Sequence, residues 1–388
     1  MILYIIVFFL FFLSDNFKNK NKFVYNVLVT CVAIFFCFGY MCGSDWMDYE
    51  YAYDHNEWVG NDLEFGLNVV FRFFHLFNTD FWIVNALCKL FFFYVVFNFY
   101  SVFSNRPMTI AGLSITTMCF MLISCPMRFM MATAFILIAT KYYMKRNWLS
   151  TVFYLIIATL FHLSILVVAI IAATAISFSQ SFAKIKTRWL ILSYFGMYFL
   201  LITTQFNDLL FQNFLLFLLD KEELEAYALS YGDRFSISSF FSIGRLREIV
   251  SFMAIIYLRK YLLCNRYGYL VFYFAILSLF ISPIIMGMAT MFRLNIFFYS
   301  FVDIALVVII FESIIKNKQY TKLLKYTFVS MVFFSFVRTI TSDYTFIPYS
   351  NSIPYIITGH LPLSERLDYN KKAYKERTGH SYDKQKNN

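Results

Sequence analysis

The chain has 388 residues, of which 60% are hydrophobic and only 14% charged, with a formal net charge of +10. A soluble domain carries about 25% charged residues, so this composition excludes a soluble enzyme and predicts an integral membrane protein. The lysines and arginines scatter over short loops, which excludes a nucleic-acid-binding face and fits the excess of basic residues on the cytoplasmic side of membrane proteins.

Many apolar runs approach the ~20 residues that cross a bilayer as a helix. The alternating ~10-residue segments of a membrane barrel are absent. The expected fold class is therefore all-α: a polytopic integral membrane protein with about 10–12 transmembrane helices and short loops. Met1–Leu13 is apolar from its first residue and lacks a basic leader region, so it reads as a short first span and not as a cleaved signal. Further spans are expected near 23–42, 80–104, 108–124, 127–145, 148–161, 162–176, 188–204, 240–262, 268–288, 290–315 and 322–341. The segment 65–78 is apolar but short and carries Arg72 and His75, so it is expected to lie in the interface or to re-enter. In domain terms, 1–345 forms the transmembrane domain, with outer loops 43–64 and 205–236, and 346–388 is a polar, basic C-terminal tail.

Loop charge sets the orientation. Lys18, Lys20 and Lys22 place the first loop inside, as do Arg106, then Lys141, Lys145 and Arg146. Lys184, Lys186 and Arg188 fall inside only if 148–176 is two short segments meeting near His162, and that arrangement is expected. The lysines beyond residue 366 conflict with an outer tail.

The outer loop from Gly43 to Glu64 contains seven acids (Asp45, Asp48, Glu50, Asp54, Glu57, Asp62, Glu64) and no Lys or Arg. Exclusion of basic residues from outer loops explains part of this, but not the Trp and Tyr set among the acids. If the loop begins as a helix, Asp45, Asp48 and Tyr49 fall on one face at i, i+3 and i+4. Trp46, Tyr49 and Trp58 are candidates to stack on sugar rings.

Charges within spans are expensive and mark functional sites. Arg128 begins the fifth span, Arg293 stands near the start of the eleventh, and Arg245 and Arg247 lie at the outer end of the ninth. His162 shares that level. Arginine's planar fork suits phosphate oxygens, so these residues predict a diphosphate site. The competing readings are structural: Arg245 pairing with Glu248 at i+3, Arg128 and Arg293 reaching to the interface, and His162 satisfied by a backbone carbonyl. Asp303 lies mid-span and is expected to bond to a neighbouring helix. Seven cysteines without C-x-x-C or Cys/His spacing read as packing residues. No cofactor or metal is required, and no Gly-rich phosphate loop is present.

The array Gly43-x-Asp45-Trp46-x-x-Tyr49, Glu64-x-Gly66, Arg128-x-x-x-Ala132, His162-x-Ser164, Arg293 and Phe346-Ile347-Pro348-Tyr349 resembles the EpsG group of Wzy-type bacterial polysaccharide polymerases, over roughly residues 1–355. The outer loops are shorter here than in many O-antigen polymerases. The resemblance implies joining of undecaprenyl-diphosphate-linked oligosaccharide repeats into O-antigen, capsule or exopolysaccharide at the outer face of the bacterial cytoplasmic membrane. The lipid bilayer and a chain-length regulator are the other implied partners. In that reading His162, Asp45, Arg128 and Arg293 are catalytic, and Arg245, Trp46, Tyr49 and Glu64 bind substrate. Arginines hold the departing diphosphate, and His162 or Asp45 serves as base to the attacking hydroxyl. The alternatives are a flippase of lipid-linked glycans, which usually shows internal repeats, and a membrane O-acyltransferase.

Overall fold

The computed structural model describes residues 1–43, 45–58, 64–124, 126–203, 243–284, 289–312, 318–342, 346 and 349–378. The described residues are all-α apart from one two-residue strand pair. It divides into two units, 1–170 with 332–380 and 171–331, and the divisions fall inside helices.

In the first unit, α1 (Ile2–Ser14) and α2 (Lys22–Cys37) pack side by side. Each is apolar along its length, with outward residues such as Ile2, Ile6 and Phe9 exposed as lipid contact requires. Asp15, which ends α1, caps the start of α6 (Pro107–Leu113). Its Oδ2 accepts the Thr109 N–H at 2.7 Å and the Thr109 hydroxyl at 2.8 Å. α6 is followed by α7 (Ile115–Cys119) and a π-helical turn over Phe120–Ser124, and the two halves meet at 81°. The expected straight span over 108–124 is thus a bent pair.

Between these lie α3 (Trp46–Asp54), α4 (Gly66–His75) and α5 (Phe81–Phe103). α4 buries Leu67, Asn68 and Phe71 and exposes Phe73, and Leu76 and Phe77 just beyond its end are exposed as well. Ten residues rise only ~15 Å, so α4 does not cross a bilayer. α8 (Met127–Met144) and α9 (Trp148–Phe161) form a tight hairpin against α5. The chain breaks at His162–Ser164 before α10 (Ile165–Phe182), so the expected interruption near His162 is present. α10 is longer than the second short segment that the sequence suggested.

The second unit contains α11 (Thr187–Thr203), α12 (Ile243–Tyr257), α13 (Arg259–Leu263), α14 (Gly268–Ile284) and α15 (Ala289–Leu306), which continues as a π-helix to Glu312. α14 and α15 pair closely. Tyr194 stacks on Phe252 at 3.9 Å and meets Phe280 edge-on. Arg259 donates to the Ile185 carbonyl at 2.7 Å, so the basic loops after α10 and α12 share one end of this unit.

α16 (Lys318–Ser342) returns the chain to the first unit, where Phe333 and Phe336 pack on Phe8. Strand β2 (Ser350–Asn351) then pairs antiparallel with β1 (Gly39–Tyr40), in the register Gly39 to Asn351. Tyr349 anchors this return by stacking on Phe35 at 4.4 Å and donating to its carbonyl at 2.7 Å. Two further helices follow, α17 (Ser352–Thr358) and α18 (Leu363–Thr378). Outer loop 205–236 lies outside the described residues. Three described helices are long and apolar enough to cross a membrane outright, 81–103, 295–312 and 322–341, and four shorter apolar helices accompany them.

Candidate active site

The site is built on a close approach of two helix ends. A β-carbon placed on Gly66 would lie 2.9 Å from the Phe161 ring and 3.0 Å from the Leu160 carbonyl oxygen. Glycine therefore lets the start of α4 touch the end of α9, and that contact carries Glu64, two residues earlier, to the break after α9. A second glycine, Gly43, is demanded by its positive φ of 90° and by the Ser124 carbonyl oxygen, 2.4 Å from where a β-carbon would sit.

Glu64 is the hub. Its Oε1 accepts from His162 Nδ1 at 2.7 Å and from the Leu163 N–H at 2.8 Å. Its Oε2 accepts from Arg128 Nη1 at 2.6 Å. Arg128 stands in the first turn of α8 and His162 ends α9 with an extended backbone, so three separate elements converge on one carboxylate. Glu64 is only 4% exposed, whereas the Arg128 and His162 side chains keep 28% and 19% of their surface. The acid is sealed in and its two partners face outward.

Burial works to raise the Glu64 carboxyl. The Leu163 N–H, His162 and Arg128 together outweigh it and hold the group below the usual carboxylate range. Glu64 is thus ionised at neutral pH, and the imidazole nitrogen facing it must be a donor. The neutral ring then carries its lone pair on Nε2, the state of a general base oriented by a carboxylate. Phe129 meets the imidazole edge-on at 5.7 Å and fixes its plane. Two buried polar atoms here, Arg128 Nε and Ser164 Oγ, have no hydrogen-bond partner. Such atoms are rare in folded proteins and call for a ligand or water.

Asp45 precedes α3, half-buried, and its carbonyl accepts the Tyr49 N–H at 3.3 Å. The loop does begin as a helix, but Asp48 stays exposed while Tyr49 turns inward. Trp46 is 1% exposed and Tyr49 7%, so neither offers an open ring face to a sugar, which corrects their reading as stacking platforms. Trp58 is exposed, with the Arg72 guanidinium 5.4 Å from its ring. Arg245 lies in the second unit and is bonded to Glu248, to the Ser282 hydroxyl at 2.9 Å and to the Ser282 carbonyl at 3.4 Å. The i+3 pairing is therefore the observed arrangement. Arg247 pairs with Asp303 at 2.6 Å, so Asp303 does bond to a neighbouring helix. Arg293 is on α15, and its side chain lies outside the described residues. Among the described residues no three His, Cys, Asp or Glu side chains come together to hold a metal ion.

Sequence reasoning missed a second cluster, in which the C-terminal segment grips the acidic loop. Arg366 on α18 donates to both carboxylate oxygens of Glu50, at 2.8 and 2.6 Å, and Trp82 Nε1 donates to Glu50 at 2.9 Å. The Arg366 guanidinium also lies over the Trp46 ring. Beside it, His360 approaches Asp80 at 2.9 Å and the Tyr40 hydroxyl at 3.1 Å. An arginine in a polar tail gives no sequence signal of such a partner.

A bundle of apolar helices that holds a Glu64–His162–Arg128 cluster at its helix ends defines a multi-pass membrane protein with a polar site. A family model, the EpsG family, matches residues 22–351, and the chain belongs to that family. The match contains Glu64, Arg128 and His162 and ends before Arg366. No curated protein and no solved structure matches the chain. The chain is thus a membrane protein of polysaccharide biosynthesis.

Proposed function

We propose that this protein is a Wzy-type polysaccharide polymerase, a glycosyltransferase acting at the outer face of the bacterial cytoplasmic membrane. Its substrates are undecaprenyl-diphosphate-linked oligosaccharides. The observation that carries the reading is the Glu64 hub, with His162 and Arg128 held on one buried carboxylate and the Arg128 Nε and Ser164 hydroxyl unpartnered.

In this reaction the acceptor hydroxyl of an incoming repeat attacks C1 of the sugar that joins the growing chain to its lipid diphosphate. The C1–O bond to the diphosphate breaks, and the bonding pair leaves with the phosphate oxygen. The hydroxyl proton passes to His162 Nε2, and Glu64 stabilises the imidazolium that forms. Arg128 donates to the departing diphosphate and offsets its developing charge. Asp45 and Arg293 are further candidates for catalytic roles in this reading. No step needs a nucleotide or a metal. The product class, O-antigen, capsule or exopolysaccharide, follows from which repeat the host supplies.

The test is the size distribution of surface polysaccharide from a deletion strain, with the wild-type gene restored or Arg128→Ala in its place. The expected outcome is single repeat units in the deletion strain and in Arg128→Ala, and a full ladder with the wild-type gene. Loss of even the single unit from the surface would instead identify a flippase. A full ladder lacking one decoration would identify an acyltransferase.

A further inference from the structure

The first unit contains a cavity, lined in part by polar side chains, far from the Glu64 hub. It lies between the C-terminal halves of α5 and α8 and the start of α9, has a volume of about 250 Å³, and is lined by Tyr94, Asn98, Lys141, Tyr142, Lys145 and Tyr154 among others. Lys141 donates to Asn98 Oδ1, Asn98 donates to the Tyr94 hydroxyl at 3.4 Å, and the Lys145 ammonium lies over the Tyr142 ring at 5.9 Å. Tyr142 stacks in turn on Tyr154 at 5.3 Å.

Three observations identify its ligand. First, the charge is one-sided. From Phe81 to Asn207 the sequence contains no Asp or Glu, so α5, α8 and α9 offer these lysines no carboxylate. Among the described residues neither Lys141 nor Lys145 enters an ion pair. An ammonium has three donors, and the one Lys141 bond to Asn98 leaves capacity for an anion. Second, the position is interfacial. Lys18 donates to the Asn105 carbonyl at 3.1 Å, which places the lysine-rich first loop at the C-terminal end of α5, the end nearer the cavity. α5 and α8 run parallel here, since Phe91 meets Phe135 and Asn98 meets Lys141. By the positive-inside bias this end is cytoplasmic. Third, an apolar track leads away from the cavity. From the lining residues Tyr94 and Phe91 it continues to Leu87 at helical spacing along one face of α5, and Leu87 and Tyr94 are 43% and 66% exposed.

We infer that this cavity binds the phosphate headgroup of an anionic phospholipid from the cytoplasmic leaflet, with an acyl chain lying along the Leu87–Tyr94 face of α5. Basic pockets between transmembrane helices on the cytoplasmic side select such headgroups. The volume is below the ~300–1,000 Å³ of drug-sized ligand sites, which suits a headgroup and not an oligosaccharide. The exposed track commits the ligand to a lipid and not to free phosphate. Each lysine contributes roughly fivefold to affinity at such a surface. The site works without reference to the transferase chemistry, from which it is separated by ~20 Å of α8, thirteen residues from Arg128 to Lys141.

The experiment is native mass spectrometry of the full-length protein in detergent, titrated with phosphatidylglycerol or phosphatidylcholine. The expected result is selective retention of phosphatidylglycerol, weakened roughly thirtyfold in Lys141→Gln/Lys145→Gln and kept in Lys141→Arg/Lys145→Arg. Equal retention of the two lipids by the wild-type protein, or undiminished phosphatidylglycerol binding by the glutamine variant, would overturn the assignment. Displacement of phosphatidylglycerol by millimolar inorganic phosphate would overturn the lipid as ligand and leave a free-anion site. Should the glutamine variant fail to fold, photoactivatable phosphatidylglycerol on the wild-type protein decides the matter. Crosslinks within 87–98 and 137–154 support the site, and crosslinks confined elsewhere refute it.

Discussion

Glu64 converts three side chains into one device because it is sealed and its partners are not. Hydrogen bonds to a charged group contribute about 1.5–3 kcal/mol each, and the partial exposure of Arg128 and His162 puts this cluster toward the low end. Glu64→Gln keeps the shape but supplies an amide where the imidazole donor needs an acceptor charge. Together with His162→Ala, it is expected to lower glycan transfer about 10²–10⁴-fold, the span of general-base catalysis, with membrane insertion unchanged. In-vitro polymerisation of lipid-linked repeats measures it.

The same carboxylate predicts a pH dependence. Its folded-state value is depressed, so its contribution to stability is present above the unfolded value, about 4.3 for Glu. It is lost as pH falls through the lower folded value. Melting temperatures of wild-type and Glu64→Gln protein are therefore expected to differ at neutral pH and to converge below about pH 4. A gap that widens on acidification would contradict the pairing.

At the scale of elements, two contacts decide where the site falls. Gly66 sets the α4–α9 approach, and Gly66→Ala must push the Phe161 ring or the Leu160 carbonyl aside. Overpacking of this kind costs about 1–3 kcal/mol, and it separates Glu64 from His162. The expected outcome is a folded protein with reduced transfer, measured by the same polymerisation assay together with thermal melting. The other contact is the grip of α18 on α3. Glu50 and Arg366 are 3% and 5% exposed, so Arg366→Ala leaves a buried carboxylate unpaired. Removing one partner of a buried pair costs about 3–5 kcal/mol. Limited proteolysis is expected to cut after residue 349 and within 43–58 sooner in Arg366→Ala than in the wild type.

For the whole molecule the same pair fixes a sidedness. Because Arg366 touches Glu50, α18 and the acidic loop lie on one side of the membrane. The lysines of the tail argue for the other side. The positive-inside bias acts on short loops between spans and less on a terminal segment, and Arg366, the arginine nearest the bundle, is neutralised by Glu50. Single cysteines at Asp48 and Lys372, both exposed, are expected to react with a membrane-impermeant thiol reagent from the outside of intact cells. Labelling of Lys372→Cys only after lysis would separate α18 from α3.

The sequence by itself determined the solvent. A composition poor in charge and dense in apolar runs forces helices, because every backbone polar group in lipid must be satisfied within its own segment. Helix positions, the break at His162 and the helical start of the acidic loop were legible for that reason, since each depends on neighbours a few residues apart. Arg128 and His162 stood out as costly charges at span ends, and Glu64 and Gly66 through the family pattern. Only the tertiary structure decided which costly charges answer one another. Arg128 lies 64 residues from Glu64 and His162 98, Arg366 finds Glu50 across 316, and Arg247 meets Asp303 on another helix. It also decided that Trp46 and Tyr49 are packed inside. Periodicity reports which face of a helix is apolar, but not what covers that face. In a membrane, where lipid and protein are equally apolar neighbours, that second fact is set by the packing of the helices.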